Sequence, residues 1–205
     1  MEILNRLIFS ILFLIGIGNL SHAQSKLETA FSDSYKMELN GEYSKASLEL
    51  KKVYSKDSYE INARLGWLNY MAGQYTESVT YYNRASSIMP LSIEALLGIT
   101  YPLSAMGNWE QVIKAYNSIL KIDPNNYSAN LKLGQIYLNR TEYKMAQAYF
   151  TLLLNQFPFT YDVVINTAWN NYYLGKFREA GILFNKVLLI NPSDESATKG
   201  LELIK

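Results

Sequence analysis

Four of the five prolines in this 205-residue chain, Pro90, Pro124, Pro158 and Pro192, stand 34 residues apart. A period of that length, kept by several positions at once, restricts the fold to a stack of like supersecondary units. One aromatic position keeps the interval at Tyr75, Trp109, Tyr143 and Phe177, and another at Tyr82, Tyr116, Phe150 and Phe184. Glycine stands two residues before the first aromatic at Gly73, Gly107 and Gly175, with Thr141 in the remaining copy. Small residues recur at Gly66, Thr100, Gly134 and Ala168.

Each repeated position has a physical role. Two residues past each proline comes a helix N-cap residue, Ser92, Asn126, Thr160 or Asp194, and Ser58 holds that register where no proline precedes it. Such side chains accept from the free N–H groups of the helix that follows. Proline cannot continue the helix before it, so it closes one unit where the next begins. The mid-repeat glycine ends the first helix of each pair by adopting a left-handed conformation. Between these marks lie two apolar-periodic segments of about 12–16 residues, the length of paired antiparallel helices.

The order Leu65, Gly66, Gly73, Tyr75, Tyr82, Ala85, Pro90 resembles the tetratricopeptide repeat (TPR) family. Leu133, Gly134, Tyr137, Tyr143, Ala146, Phe150 and Pro158 resemble it more fully. The resemblance implies an all-α fold, a right-handed α-solenoid of helix–turn–helix hairpins forming one domain over 24–205. The copies are expected at 59–92, 93–126, 127–160 and 161–194, with a capping helix at 195–205. A degenerate copy at 27–58 carries Gly41, Tyr43 and Ala46 but lacks the proline and is two residues short.

Residues 1–23 have a different layout. A single cation, Arg6, precedes the apolar run 7–17, and Ser21, His22 and Ala23 place small residues three and one before the next segment. This is the arrangement of a cleavable secretory signal. The apolar run falls short of the roughly 20 residues that span a bilayer. The protein is therefore expected to be exported, periplasmic or secreted, without stable membrane insertion after cleavage; an uncleaved anchor is the alternative. Lys and Arg number 19 against 18 Asp and Glu. That balance gives no electrostatic reason for a nucleic-acid partner. With no cysteine, the apolar core must hold the fold unaided.

Catalytic readings find little support. The only histidine is His22, inside the leader, and there is no cysteine, which removes imidazole bases, thiol nucleophiles and their metal sites. No glycine-rich phosphate loop occurs. The paired acids Asp194 with Glu195, and Asp57 with Glu60, sit at helix starts, where the dipole favours them. A non-enzyme without metal or cofactor is expected.

Positions 2, 5, 9 and 12 of the first helix in each repeat share one face. In TPR proteins that face lines the concave groove, so the resemblance implies a groove bearing Tyr35, Trp67, Tyr70, Tyr101, Trp169 and Tyr172. Position 9 is aromatic in four of five copies: Tyr35, Trp67, Tyr101 and Trp169, with Gln135 as the exception. Such a ladder suits partner binding, because Tyr and Trp give large contact area at low entropy cost. Packing against the neighbouring helix is the competing explanation. Acids at position 2 (Glu28, Glu60, Glu94, Asp162) fit either the helix dipole or a rim for basic groups. Arg64, Lys132 and Gln135 are the candidate polar contacts; two cations so spaced depart from the carboxylate clamp of some family members. The expected function is an exported scaffold that binds a protein or peptide. An assembly subunit of an envelope or secretion complex, and a glycan-binding module using the same aromatics, are the alternatives.

One residue breaks the pattern. Pro102 falls inside the first helix of its repeat, where proline costs about 3 kcal/mol. With Gly98 one turn earlier, it predicts a bend near 98–102 that splays Tyr101 outward.

Overall fold

The computed structural model describes residues 24–205; the secretory-signal reading concerns residues 1–23 and lies outside them. Among the described residues there are eleven helices and no strand. None of these helices is long and apolar enough to cross a membrane. Contacts gather the chain into two compact units, one ending at Asn108 and the other running from Trp109 to Lys205.

The first unit contains α1 (residues 24–39), α2 (Tyr43–Lys51), α3 (Tyr59–Met71), α4 (Tyr75–Ile88) and α5 (Ile93–Ala105). Helix α3 packs between α2 and α4, and α5 lies on both α3 and α4. The second unit contains α6 (Trp109–Ile122), α7 (Tyr127–Asn139), α8 (Tyr143–Gln156), α9 (Tyr161–Tyr173), α10 (Phe177–Ile190) and α11 (Glu195–Leu203). There α7 packs on α6 and α8, α9 on α8 and α10, and α11 closes against α10 and α9.

The turns follow the repeat chemistry. Gly41, Gly73, Gly107 and Gly175 all adopt positive φ, between 70° and 76°, after the first helix of a pair. Thr141 takes the same place at φ 63°, a strained conformation for a β-branched residue. Ser58, Ser92, Asn126 and Asp194 each accept from the backbone N–H three residues on. Thr160 departs from expectation: its backbone has the extended N-cap conformation, but its hydroxyl makes no cap hydrogen bond. Asn130 adds a brace, its amide donating to the carbonyls of Pro124 and Asn126 at 3.0 and 2.9 Å.

The core of each unit forms where repeated aromatics meet small residues. In the first unit Ala46, Leu50, Ile61, Leu65 and Leu68 close around one another. In the second, Phe150 and Phe184 are wholly buried, each contributing about 2–3 kcal/mol of hydrophobic stabilisation. Their rings lie so close to neighbouring backbone that a methyl group would not fit: Phe150 against Gly134, and Phe184 against Gly200. The Tyr82 ring is gripped on both sides, by Gly66 of its own hairpin and Gly98 of the helix that follows.

Pro102 does not interrupt its helix. Helix α5 runs without interruption from Ile93 to Ala105, and Pro102 is buried within it. The ladder resumes at once, with Met106 N–H donating to the Pro102 carbonyl at 3.1 Å. Packing of α5 on two other helices supplies what the one missing donor removes. Tyr101 is half exposed but not thrown clear: its ring lies 5.5 Å from that of Tyr70 and 6.3 Å from that of Trp67.

Candidate binding cleft

In the first unit the inward faces of α1, α3 and α5 enclose an open cleft of about 780 Å³. Phe31 and Tyr35 come from α1, Ala63, Arg64 and Trp67 from α3, and Leu97 and Tyr101 from α5; Tyr82 lies beneath, where Gly98 leaves room for it. Burial raises the Tyr82 hydroxyl far above the ordinary tyrosine range, so it is neutral at every ordinary pH.

Two side chains of this wall are fixed by one carboxylate. Glu38 accepts from the indole Nε1 of Trp67 at 2.6 Å and pairs with Arg64 Nη1 at 2.5 Å. Arg64 also donates to Ser34 Oγ through Nε and Nη2, and its guanidinium lies 3.8 Å from the centre of the Tyr35 ring. The guanidinium is thereby stacked, paired and almost wholly buried. Its charge is spent inside the wall.

Two exposed acids line the same cleft. Glu94 accepts from the Tyr59 hydroxyl at 3.0 Å, and that hydroxyl also meets Ser92 Oγ at 2.7 Å. Glu60 accepts from Ser58 Oγ at 2.8 Å. A backbone N–H at the helix start, together with that hydroxyl, holds the Glu60 carboxyl below its usual value. Among the described residues no ion pair joins either acid to a cation.

The sequence-derived groove residues thus fall into separate places. Tyr35, Arg64, Trp67 and Tyr101 meet in this cleft, and Tyr70 stands beside it, its ring 5.8 Å from Trp67. Trp169 and Tyr172 belong to the second unit, where Trp169 meets Phe184 edge-on at 5.0 Å and donates to Ser196 Oγ at 2.9 Å. Lys132 and Gln135 are also in that unit, Lys132 exposed and Gln135 half-buried on α7. The position-9 aromatics differ in exposure. Both tryptophans lean on core clusters, whereas Tyr35 and Tyr101 keep half their surface in solvent. Position 12 of the first copy puts Glu38 on the groove face, but its pairing with Trp67 and Arg64 was not foreseen, and Ser34 was missed altogether. The signal for Glu38 was an acid at position 12, where the other copies carry Tyr70, Ser104, Leu138 and Tyr172.

Among the described residues no group of three or more His, Cys, Asp or Glu side chains is arranged to hold a metal ion. What the cleft offers is flat aromatic area, apolar side chains and negative charge.

Comparison with known proteins agrees with this architecture. Residues 128–160 match the family model described as tetratricopeptide repeat. The fold is that of tetratricopeptide repeat proteins. A tetratricopeptide repeat protein from Parabacteroides merdae superposes with a TM-score of 0.76 at 20% identity, over 88% of this chain and 72% of that one. YrrB, described as a TPR protein with an unusual peptide-binding site, gives 0.71 at 13% identity, over 91% and 97%. MamA from Desulfovibrio magneticus gives 0.65 at 14% identity, over 71% and 82%. The CTR9 homolog of Arabidopsis thaliana is 23% identical over 174 residues; the match takes in 78% of this chain and 16% of that protein. The chain therefore spans a small part of the length of that curated relative.

Proposed function

We propose that this protein is a non-catalytic binding module that takes a segment of a partner protein, or a peptide, into the cleft of its first unit. The observation that carries this is the wall itself. Tyr35, Trp67 and Tyr101 present aromatic surface from three successive first helices, and Glu38 and Arg64 hold two of those rings in place. Rigid aromatic surface of this kind loses little entropy on binding. The solved relative described as having a peptide-binding site has the same fold, which supports the reading. The leader-like composition of residues 1–23 supports action outside the cytoplasm, in the periplasm or beyond the cell.

The test is affinity capture from the exporting compartment with wild type, Trp67→Ala and Trp169→Ala, each checked for an intact fold by circular dichroism. Loss of a specific partner with Trp67→Ala and its retention with Trp169→Ala is the expected result. Equal recovery with all three would reject the cleft.

A second reading, an assembly subunit, has its own support in the second unit. Ile182 and Leu189 on α10 and Leu203 on α11 are all more than half exposed. Such apolar surface suits contact with another chain. Light scattering at rising concentration, with Ile182→Glu and Leu189→Glu as controls, would separate this role from peptide capture.

A further inference from the structure

The chemistry of the occupant can be read from the charges around the cleft. Arg64 is the one cation among the described residues lining it, and Glu38, Ser34 and the Tyr35 ring consume its charge and donors. Glu60 and Glu94 remain, both exposed, both held by hydroxyl donors from the protein, with no ion pair to a cation among the described residues. Hydrogen bonds from Ser58 and Tyr59 orient these carboxylates without neutralising them. The cleft is therefore negative at neutral pH. Trp67 and Tyr101 lie in the same wall, and their ring faces attract cations as well as apolar groups.

Resting on the reading of the cleft as a peptide site, we propose that its occupant is a peptide segment carrying a lysine or arginine flanked by apolar residues. The cationic group lies at Glu60 and Glu94, and the neighbouring apolar side chains lie on Trp67, Tyr101 and Leu97. A peptide with an acid at the central place would meet two carboxylates of like sign, with Arg64 already engaged. Charge then decides which segments enter, and aromatic area supplies most of the affinity.

The test is selection from a random heptapeptide display library, panned in parallel against the full-length chain, Glu60→Gln/Glu94→Gln and Trp67→Ala. Glutamine keeps the acceptors for Ser58 and Tyr59, so the acidic double variant should fold as wild type does. The expected wild-type pool is enriched in Lys or Arg beside Leu, Ile, Phe or Trp. The double variant should lose the cationic bias, and Trp67→Ala should lose the pool. Synthetic peptides from the pool should bind the wild type at least tenfold more tightly than the double variant at low salt, the gap narrowing at 0.5 M salt. A pool retained by wild type, lost with Trp67→Ala and without cationic bias would overturn the charge assignment and leave the peptide site standing. No enrichment by the wild type would overturn both. Comparing lysine with arginine at the central place in the synthetic peptides identifies which cation the cleft prefers.

Discussion

The indole of Trp67 and the carboxylate of Glu38, 29 residues apart in sequence, meet in a 2.6 Å hydrogen bond across α1 and α3. The same carboxylate pairs with Arg64, so one acid sets the position of an aromatic wall and discharges a buried guanidinium. Replacing Glu38 with alanine should cost about 3 kcal/mol, because it leaves that charge buried without a counterion. Urea unfolding would measure the loss, and red-shifted tryptophan emission would report the freed indole.

Thr141 holds a left-handed turn that glycine holds in four other hairpins. Thr141→Gly should stabilise the second unit by about 1 kcal/mol, since removing the Cβ relieves the strain at positive φ. Gly73→Thr, the reverse change in the first unit, should destabilise by a similar amount. Thermal denaturation of the two variants should move the midpoint in opposite directions.

Asn170 is wholly buried in α9, and neither atom of its amide has a hydrogen-bond partner. The same register holds Leu68 in α3 and Ile136 in α7. Asn170→Leu should raise stability by about 1–2 kcal/mol, because it removes an unsatisfied buried amide and fills the site with apolar volume. An unchanged or lower denaturation midpoint would show that the amide is satisfied in solution.

Asp194 caps α11, accepting from Ala197 N–H at 2.8 Å and from the Tyr161 hydroxyl at 2.6 Å. The Tyr161 hydroxyl, above all, holds its carboxyl below the usual value. A carboxyl depressed in the folded state contributes stability above its unfolded pKa, about 4, and loses it as pH falls through the folded value. Protection of α11 amides in hydrogen exchange should accordingly weaken below about pH 4, earlier than in α9. Asp194→Asn, which keeps an acceptor without the charge, should flatten that dependence. Asp194→Ala should cost about 1–2 kcal/mol at neutral pH.

Much of the fold was readable because the residues that set it act locally. A proline two residues before an N-cap, or a glycine after a helix, determines the chain direction through its own backbone. Thr141 and Pro102 show where that logic yields. Both are poor local choices, and both are overridden by the packing of whole helices, which no short window contains. The cleft was half readable. Position 9 marked Tyr35, Trp67 and Tyr101 as neighbours on successive helices, but the fate of Arg64 depended on Glu38 and Ser34, 26 and 30 residues away. A cation at a groove position is free or spent according to partners on another helix, and spacing within one helix does not reveal them.

The rings of Tyr82 and Phe184 bear on how such a chain could be rebuilt. Each sits in a socket finished by a glycine that belongs to the next hairpin's register, Gly98 for one and Gly200 for the other. A 34-residue cassette cut at the prolines would leave either ring behind without its glycine, or deliver it to a neighbour whose Cβ occupies the space. Recombination in these two places must therefore carry the opening turns of the following helix along with the hairpin. The natural unit of exchange is longer than the unit of repetition.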